Sequence, residues 1–434
     1  MNQVKYLSHS NDELPLESLI ETLQGISLLP VFSAQARSFI EHLSKSLLKD
    51  ARCKQYPELI ALGFWLRKGN LKKLTLQQGF GTAFDSASHD IEARSRKPLG
   101  IAVHFTPANV DTMFIYSWVT ALLLGNCNIV RVASKDSDQQ NLLLEIITQL
   151  FSEAEHQDIA NRNYFITYSK DGEGTSILCA HADARLIWGG DTSVAAILSH
   201  SAAETCVDLC FADKFSATIL ANMEDNIDEV AQLMWRDTQP YLQQACSSPR
   251  LIYCVLEGKA DKTQLQNLLL KLNQYAKNNS QSGWYSVSQA NEHLVTAQHI
   301  MARDEREARE LCDSQTSPEL LVHASVAGLL VADVHDDMLE LHTGNGFFIC
   351  KICDSVEMVF DDIAKLNNSK LQTLSYYKLA PDELLKQKQG KSILGIDRIV
   401  PLGQALDFSF YWDGYDLLHE LSRATAIVEE KNAH

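Results

Sequence analysis

Three short stretches carry the side chains best suited to chemistry. The first is Gln243-Gln244-Ala245-Cys246-Ser247-Ser248-Pro249-Arg250, directly before an apolar run at residues 251–256. A cysteine among small, polar neighbours leaves room for a substrate to reach its sulfur. It becomes a nucleophile where nearby cations or dipoles favour the thiolate. The second is Phe105-Thr106-Pro107-Ala108-Asn109-Val110. An Asn after a Pro, at the end of an apolar run, can aim its amide N–H at a developing oxyanion. The third is Trp188-Gly189-Gly190-Asp191, where paired glycines let backbone approach a ligand closely. Taken singly, each also has a plain structural reading: a buried cysteine at a strand start, a helix cap, and a tight strand-to-helix turn.

The elements that must position these residues alternate in type. Residues 18–29 and 34–48 carry apolar side chains at helical spacing. From residue 100 the pattern becomes strand (100–106), buried helix (111–124) stopped by Gly125-Asn126, strand (128–133), helix (138–151) and strand (164–168). Strands at 184–188 and 215–221 follow, with a short helix at 192–198 between them. Such alternation predicts a parallel, doubly wound α/β sheet, with ligands at the carboxyl ends of the strands. A second α/β stretch has helices near 225–235 and 262–278 and strands near 251–256, 327–331 and 347–352. Residues 301–311 read as an exposed helix, and the polar stretch 386–391 as a linker or surface loop.

Composition narrows the function classes. The 434 residues are 45% hydrophobic, with 55 acidic against 38 basic side chains, a formal net charge of −17. That field repels nucleic-acid backbones and anionic lipid heads, so neither is an expected partner. The longest apolar run, residues 113–124, is shorter than the roughly 20 residues a bilayer span needs. No secretory signal is legible, so the ten cysteines read as cytoplasmic thiols. Cys350-x-x-Cys353 lacks a second pair, and no metal is expected from it. The P-loop, H-E-x-x-H, G-x-S-x-G and G-x-G-x-x-G signatures are absent.

Read together and in order, the three stretches gain weight. With Phe64-Trp-Leu-Arg-Lys-Gly-Asn70, Leu124-Gly-Asn-Cys-Asn-Ile-Val-Arg131, Asp397-Arg-Ile-Val-Pro-Leu-Gly-Gln-Ala405 and Trp412-Asp-Gly-Tyr-Asp416, the chain resembles the aldehyde dehydrogenase superfamily. Within it the chain resembles the LuxC-type long-chain acyl-CoA reductases (fatty acid reductases), the reductase component of bacterial bioluminescence systems and its non-luminous relatives. The likeness runs over roughly residues 55–425.

The resemblance implies an aldehyde-dehydrogenase-like fold with two doubly wound α/β domains. The expected division is a nucleotide-binding domain with an N-terminal helical region (1–210), a catalytic domain carrying the cysteine loop (211–395), and a C-terminal segment (396–434) packing on the core or a partner subunit. It implies Cys246 as nucleophile, with Asn109 and the backbone N–H of Cys246 as the oxyanion hole. Thr106, Pro107, Arg131, Ser134, Gly189 and Gly190 would hold the cofactor. A Glu commonly stands at the position of Ser134 and repels a 2′-phosphate. Neutral Ser134 beside Arg131 and Lys135 therefore points to NADPH. The general-base Glu of the dehydrogenases is replaced by Cys210, with Asp208 two residues away as a displaced candidate. The second Glu has no clear counterpart near residues 343–346.

The implied reaction is reduction of a fatty acyl-CoA, or an acyl-protein thioester, to a fatty aldehyde through a thioacyl-cysteine. An acyl-protein synthetase partner and homo-oligomerisation are expected by resemblance. The alternatives are an acyl-phosphate reductase or an aldehyde dehydrogenase on the same fold, or a non-catalytic scaffold.

Overall fold

The computed structural model describes residues 4–9, 14–86, 90–107, 110–133, 137–169, 172–256, 262–279, 287–311, 318–342, 344–366 and 368–426. By contacts the chain divides into unit 1, Met1–Ala212 with Phe408–His434, and unit 2, Asp213–Asp407.

Unit 1 holds strands β1 (Lys5–Tyr6), β2 (Arg96–Pro98), β3 (Ile101–Phe105), β4 (Cys127–Arg131), β5 (Asn163–Thr167), β6 (Ala184–Trp188) and β7 (Val207–Phe211). Its main sheet runs β1-β5-β4-β3-β6-β7, parallel except for the edge strand β1. Every residue of β3, β4 and β6 is buried, as both faces of a parallel sheet must be. Helices Met113–Leu123 and Asp138–Phe151 pack on one face. Gly174–His181 and Asp191–Leu198 pack on the other. The winding therefore reverses between β3 and β6, and a crevice opens at their carboxyl ends.

Local chemistry sets these boundaries. Helix Asp138–Phe151 spans the expected residues because the Ser137 hydroxyl caps the Gln140 N–H at its start. Helix Met113–Leu123 stops where Gly125 turns left-handed, with φ +84°, and a Cβ there would lie 2.1 Å from the Leu29 carbonyl oxygen. The neighbouring Asn126 side chain accepts from the Leu99 and Gly100 N–H groups and donates to the Leu421 carbonyl. The Gly-Asn pair is thus a splice between sheet and C-terminal segment.

That segment supplies β15 (Tyr411–Trp412), β16 (Tyr415–Asp416) and β17 (Ser422–Ala424). Asp413 and Gly414, with φ of 50° and 83°, make the tight β15–β16 turn. Strand β17 pairs with β2. Phe408 stacks on Tyr116 and Trp412, and its carbonyl accepts from the Trp65 indole N–H. Two of the sequence blocks quoted above therefore meet in one aromatic cluster.

A polar thread crosses this core. His104 lies between Ser117 and Asn128, and Asn128 continues to Asn163 and Trp118. Burial pushes the His104 imidazole down to about 4, against a hydrogen bond from its Nε2 to the Asn128 amide oxygen that favours the charged form. A depressed histidine contributes stability that is full above its unfolded value near 6.5 and is lost as the pH falls towards 4. The expected loss is about 3 kcal/mol. Denaturant unfolding at pH 7 and pH 4.5 should show it, with a smaller drop in His104→Asn. Equal drops in the two proteins would contradict the assignment.

Unit 2 holds β8 (Phe215–Ala221), β9 (Pro249–Val255), β10 (Glu319–His323), β11 (Ala327–Leu330), β12 (Phe347–Cys353), β13 (Leu371–Tyr377) and β14 (Arg398–Pro401). The order is β10-β11-β12-β9-β8-β13-β14, with only β10 antiparallel. Helices Ile227–Thr238 and Lys262–Asn278 cover one face, and Val356–Lys365 and Pro381–Gly390 the other. Cys350 and Cys353 are fully buried, and they belong to the cores on opposite faces of β12. Spacing of three on a strand turns the two sulfurs apart.

Residues 386–390 are the last turn of helix Pro381–Gly390, not a loop. The helix starts with Pro381 at its first position and acidic Asp382 and Glu383, and it anchors through buried Leu384. The polar run is its solvent face. The block 397–405 lies in unit 2, where Lys214 pairs with Asp397 at 2.5 Å and Arg398 donates to the carbonyls of Ala405 and Asp407.

Candidate active site

Cys246 sits in the turn between the helical segment Pro240–Gln243 and β9. It lies at the amino ends of β8, β9 and β12, not at the carboxyl ends where the sheet rule places ligands. The surrounding contacts fix that location. The Ser216 hydroxyl near the start of β8 donates to the Cys246 carbonyl at 2.7 Å and accepts from the Thr373 N–H at 3.2 Å. The Ser248 hydroxyl donates to the Asp237 carbonyl at 2.8 Å. Ser247 and Ser248 are themselves buried. The small residues around the cysteine are therefore anchors rather than open space, while Cys246 is half-buried.

The backbone leading into the loop is unusual. Tyr241, Leu242 and Gln243 have φ of 56°, 52° and 61°, three successive non-glycine residues in the left-handed region. Each costs on the order of 1–2 kcal/mol. A second left-handed run, Gly344, Asn345 and Gly346 with φ of 73°, 55° and 90°, packs against it. The Asn345 N–H donates to the Leu242 carbonyl at 2.8 Å. A Cβ on Gly344 would come within 3.1 Å of that same oxygen.

Gln243, fully buried, locks the two runs together. Its amide oxygen accepts from the Gly346 N–H at 2.9 Å, and its NH2 donates to the carbonyls of Pro249 at 2.9 Å and Phe347 at 3.0 Å. His342 completes the clamp, accepting from the Gly344 N–H through Nδ1 and donating to the Phe347 carbonyl through Nε2. Burial, with the charge of Arg250 adding to it, pushes this imidazole well below its usual value.

The electrostatics of the loop come from Arg250. Burial pushes its guanidinium down, while the nearby Cys246 sulfur and Asp213 carboxylate pull it back up. Its Nε is buried without a hydrogen-bond partner among the described residues. A cation held this way favours the thiolate form of a neighbouring cysteine. Asp237 braces the loop from behind, accepting from the Gly403 and Ala405 N–H groups at 2.7 and 3.0 Å. Burial pushes its carboxyl up to about 7.

Sequence reasoning missed Gln243, His342 and Asp237. Asp237 had a signal: it falls on the buried stripe Val230, Ala231, Met234, Asp237 and Thr238. An acid at an apolar position implies fixed partners.

Unit 1 brings together five of the proposed cofactor residues. Thr106 and Pro107 follow β3, Arg131 ends β4, and Gly189 and Gly190 follow β6. All lie at the carboxyl ends of neighbouring strands, and the β3 and β6 loops flank the point where the winding reverses. The Thr106 N–H donates to the Arg131 carbonyl, and its hydroxyl accepts from the Ala133 N–H. Arg131 is only 9% exposed and lies over the Tyr168 ring at 5.4 Å. Among the described residues it has no carboxylate partner.

Gly190 caps helix Asp191–Leu198. Trp188 stacks on Phe211 at 3.8 Å, and Tyr415 props Phe211 edge-on. The Trp188 indole N–H is buried without a hydrogen-bond partner among the described residues. Asn109, Ser134 and Lys135 lie outside the described residues.

The two residues weighed at the expected base position lie together on β7. Cys210 is on β7, and burial pushes its thiol up. Both Asp208 oxygens are held at 2.6 Å by the Arg185 guanidinium. A half-buried thiol held in its protonated form and a carboxylate already paired twice are poor activators of water.

Comparison with known proteins agrees with this architecture. The LuxC acyl-CoA reductase family model matches residues 30–424. The chain is 23% identical over 313 residues to the long-chain acyl-protein thioester reductase of Aliivibrio fischeri, covering 71% of this chain and 59% of that protein. It is 24% identical over 349 residues to the one from Photorhabdus luminescens, covering 78% and 65%. The chain thus spans less than two thirds of the length of these relatives.

Among solved structures, an aldehyde dehydrogenase of Physcomitrella patens superposes with a TM-score of 0.61 at 9% identity, covering 98% of this chain and 94% of that one. A glyceraldehyde-3-phosphate dehydrogenase of Methanocaldococcus jannaschii complexed with NADP gives 0.61 at 14% identity, covering 98% and 97%. At such identities the likeness is one of fold, and that fold is aldehyde-dehydrogenase-like. With a family match over most of its length and the cysteine loop and strand ends arranged as described, the chain belongs to the LuxC acyl-CoA reductase family.

Proposed function

We propose that this protein reduces a long-chain acyl thioester, carried by CoA or by an acylated partner protein, to the aldehyde with NADPH. The observation that carries this reading is the half-buried Cys246 on a loop clamped from every side, with the Arg250 guanidinium close by. The names of the curated relatives support an acyl-protein thioester as acyl donor. An acyl-protein synthetase that loads it, and a homo-oligomeric enzyme, belong to the same proposal.

In this mechanism the Cys246 thiolate attacks the thioester carbonyl carbon. A new C–S bond forms to the enzyme, the old C–S bond breaks, and the departing thiolate takes a proton from solvent. Asn109 and the Cys246 backbone N–H hold the oxyanion, and one such donor is worth about 2.7–4 kcal/mol. The nicotinamide, when bound, supplies the hydride that reduces the acyl carbon. The residues of unit 1 fit that cofactor. Among the described residues Arg131 is a buried cation without a carboxylate partner, and Trp188, beside Gly189, holds a buried N–H donor without an acceptor.

With Asp208 committed to Arg185 and the half-buried Cys210 thiol pushed up, water is not activated to divert the acyl group to a free acid. This disfavours the aldehyde dehydrogenase alternative.

The test is aldehyde formation from long-chain acyl-CoA, with acyl phosphate as the competing donor. Turnover of acyl phosphate alone would overturn the thioester reading. For the coenzyme, Arg131→Ser is expected to raise the KM for NADPH about tenfold and to leave NADH within about twofold. Equal use of NADH and NADPH by the wild type would remove the case for NADPH.

A further inference from the structure

Away from the cysteine loop and the strand ends, four ligand-type side chains of unit 1 converge on one point. His42 projects from helix Ala34–Lys49. Glu153, Glu155 and His156 come from the turn Ala154–His156 and the residue before it, beyond the end of helix Asp138–Phe151. The His42 Nδ1 and His156 Nε2 atoms face each other at 2.8 Å. A Glu155 oxygen lies 3.7 Å from His42 Nδ1, and a Glu153 oxygen 3.9 Å from His156 Nε2. The four donor atoms all lie within 4.8 Å of one another.

Their chemistry suits a cation. Two imidazole nitrogens turned to face each other share a single proton or a single metal ion. Neither carboxylate pairs with a lysine or arginine among the described residues, and each faces a histidine ring nitrogen instead. The geometry is close to that of a bound ion. Bonds of about 2.0–2.2 Å in a tetrahedral site put ligand atoms roughly 3.3–3.6 Å apart, inside the span seen here. The His156 ring is held rigid, buried with its edge against Phe39 at 5.2 Å. The two glutamates are 44% and 59% exposed and free to swing the remaining distance. Mixed imidazole and carboxylate donors select a transition metal over calcium or magnesium, which prefer oxygen alone.

We propose that His42, Glu153, Glu155 and His156 form a tetrahedral site for a divalent transition-metal ion, with zinc as the fitting ion. It would pin helix Ala34–Lys49 to the end of helix Asp138–Phe151. A bound ion there stabilises the folded state by mass action, because the unfolded chain cannot assemble the four ligands. The site is independent of the proposed activity, and so is its test.

The full chain, stripped of metal with a chelator, is titrated with zinc chloride and separately with cobalt chloride. One zinc per chain should bind and raise the thermal midpoint. His42→Gln and Glu155→Gln, both at solvent-accessible positions, should fold with the metal-free midpoint of the wild type. Each should weaken zinc at least about tenfold and lose the thermal shift. Cobalt should give the intense visible bands of a tetrahedral nitrogen and oxygen site, without the near-ultraviolet charge-transfer band that a cysteine ligand produces. Three results would each overturn the proposal: no stoichiometric zinc in the wild type, unchanged affinity in both variants, or a cobalt signal that is thiolate in character and survives His42→Gln.

Discussion

Cys246→Ala is expected to lower acyl-thioester reduction by at least about 10³-fold, because the variant has no atom that can carry the acyl group. The loss should appear in the first half-reaction alone. Wild-type protein incubated with a long-chain acyl-CoA and no nucleotide should gain one acyl group by intact mass, and Cys246→Ala should gain none. Cys246→Ser tests the same point more finely. A serine hydroxyl fills the same turn and leaves the Ser216 contact to the residue 246 carbonyl in place. It ionises far less readily than a thiol, so acylation should still fall steeply while folding is preserved. The protein has nine cysteines among its described residues, and most are poor competitors. Burial pushes Cys254 and Cys353 up to about 12 and Cys350 well above its usual value. An acyl adduct that persists in Cys246→Ala would remove the proposed nucleophile.

Much of the scaffold was legible because local rules and tertiary demands agree there. Strands 184–188 and 215–221 and helix 138–151 fall where apolar pattern and capping residues place them. The run 386–391 was misread because polarity is shared by loops and by the solvent face of a helix; only Leu384 faces inward. The sequence singles out the proposed cysteine by its neighbours, but not what holds its loop. Gln243 bonds to Gly346 and Phe347, about a hundred residues away. No periodicity announces that an amide reaches across two sheet strands. The left-handed backbone at Tyr241, Leu242 and Gln243 is equally silent, since positive φ is ordinarily signalled by glycine or asparagine and none stands there. The His42 cluster escapes for the same reason: its ligands come from two segments more than a hundred residues apart.

Gln243→Leu should therefore be among the most damaging single changes near the cysteine that leave the cysteine intact. Leucine keeps most of the volume and removes both ends of the amide. The Gly346 N–H and the Pro249 carbonyl lose their side-chain partner inside a fully buried site, while the Phe347 carbonyl keeps His342. At roughly 1–3 kcal/mol for each orphaned group, the expected loss is on the order of 2–5 kcal/mol. The backbone strain makes matters worse. The left-handed turn at 241–243 persists only while its surroundings enforce it, and Gln243 is the side chain that enforces it. Release should move the start of β9, and with it Cys246. An ångström of misplacement can cost about 10²-fold in rate. Acylation of Cys246 at a temperature where the variant is folded should fall by about that factor, while the KM for NADPH stays near the wild-type value. Gln243→Glu separates positioning from simple damage. Its protonated carboxyl can both accept from Gly346 and donate to one carbonyl, whereas the ionised form cannot donate and is costly to bury. Its folded-state pKa is therefore raised, so the stability it restores is present at low pH and is lost as the pH rises through that value. Acylation per folded molecule should recover along with it as the pH is lowered. A Gln243→Leu protein as stable and as quickly acylated as the wild type would show that the loop holds its shape without this clamp.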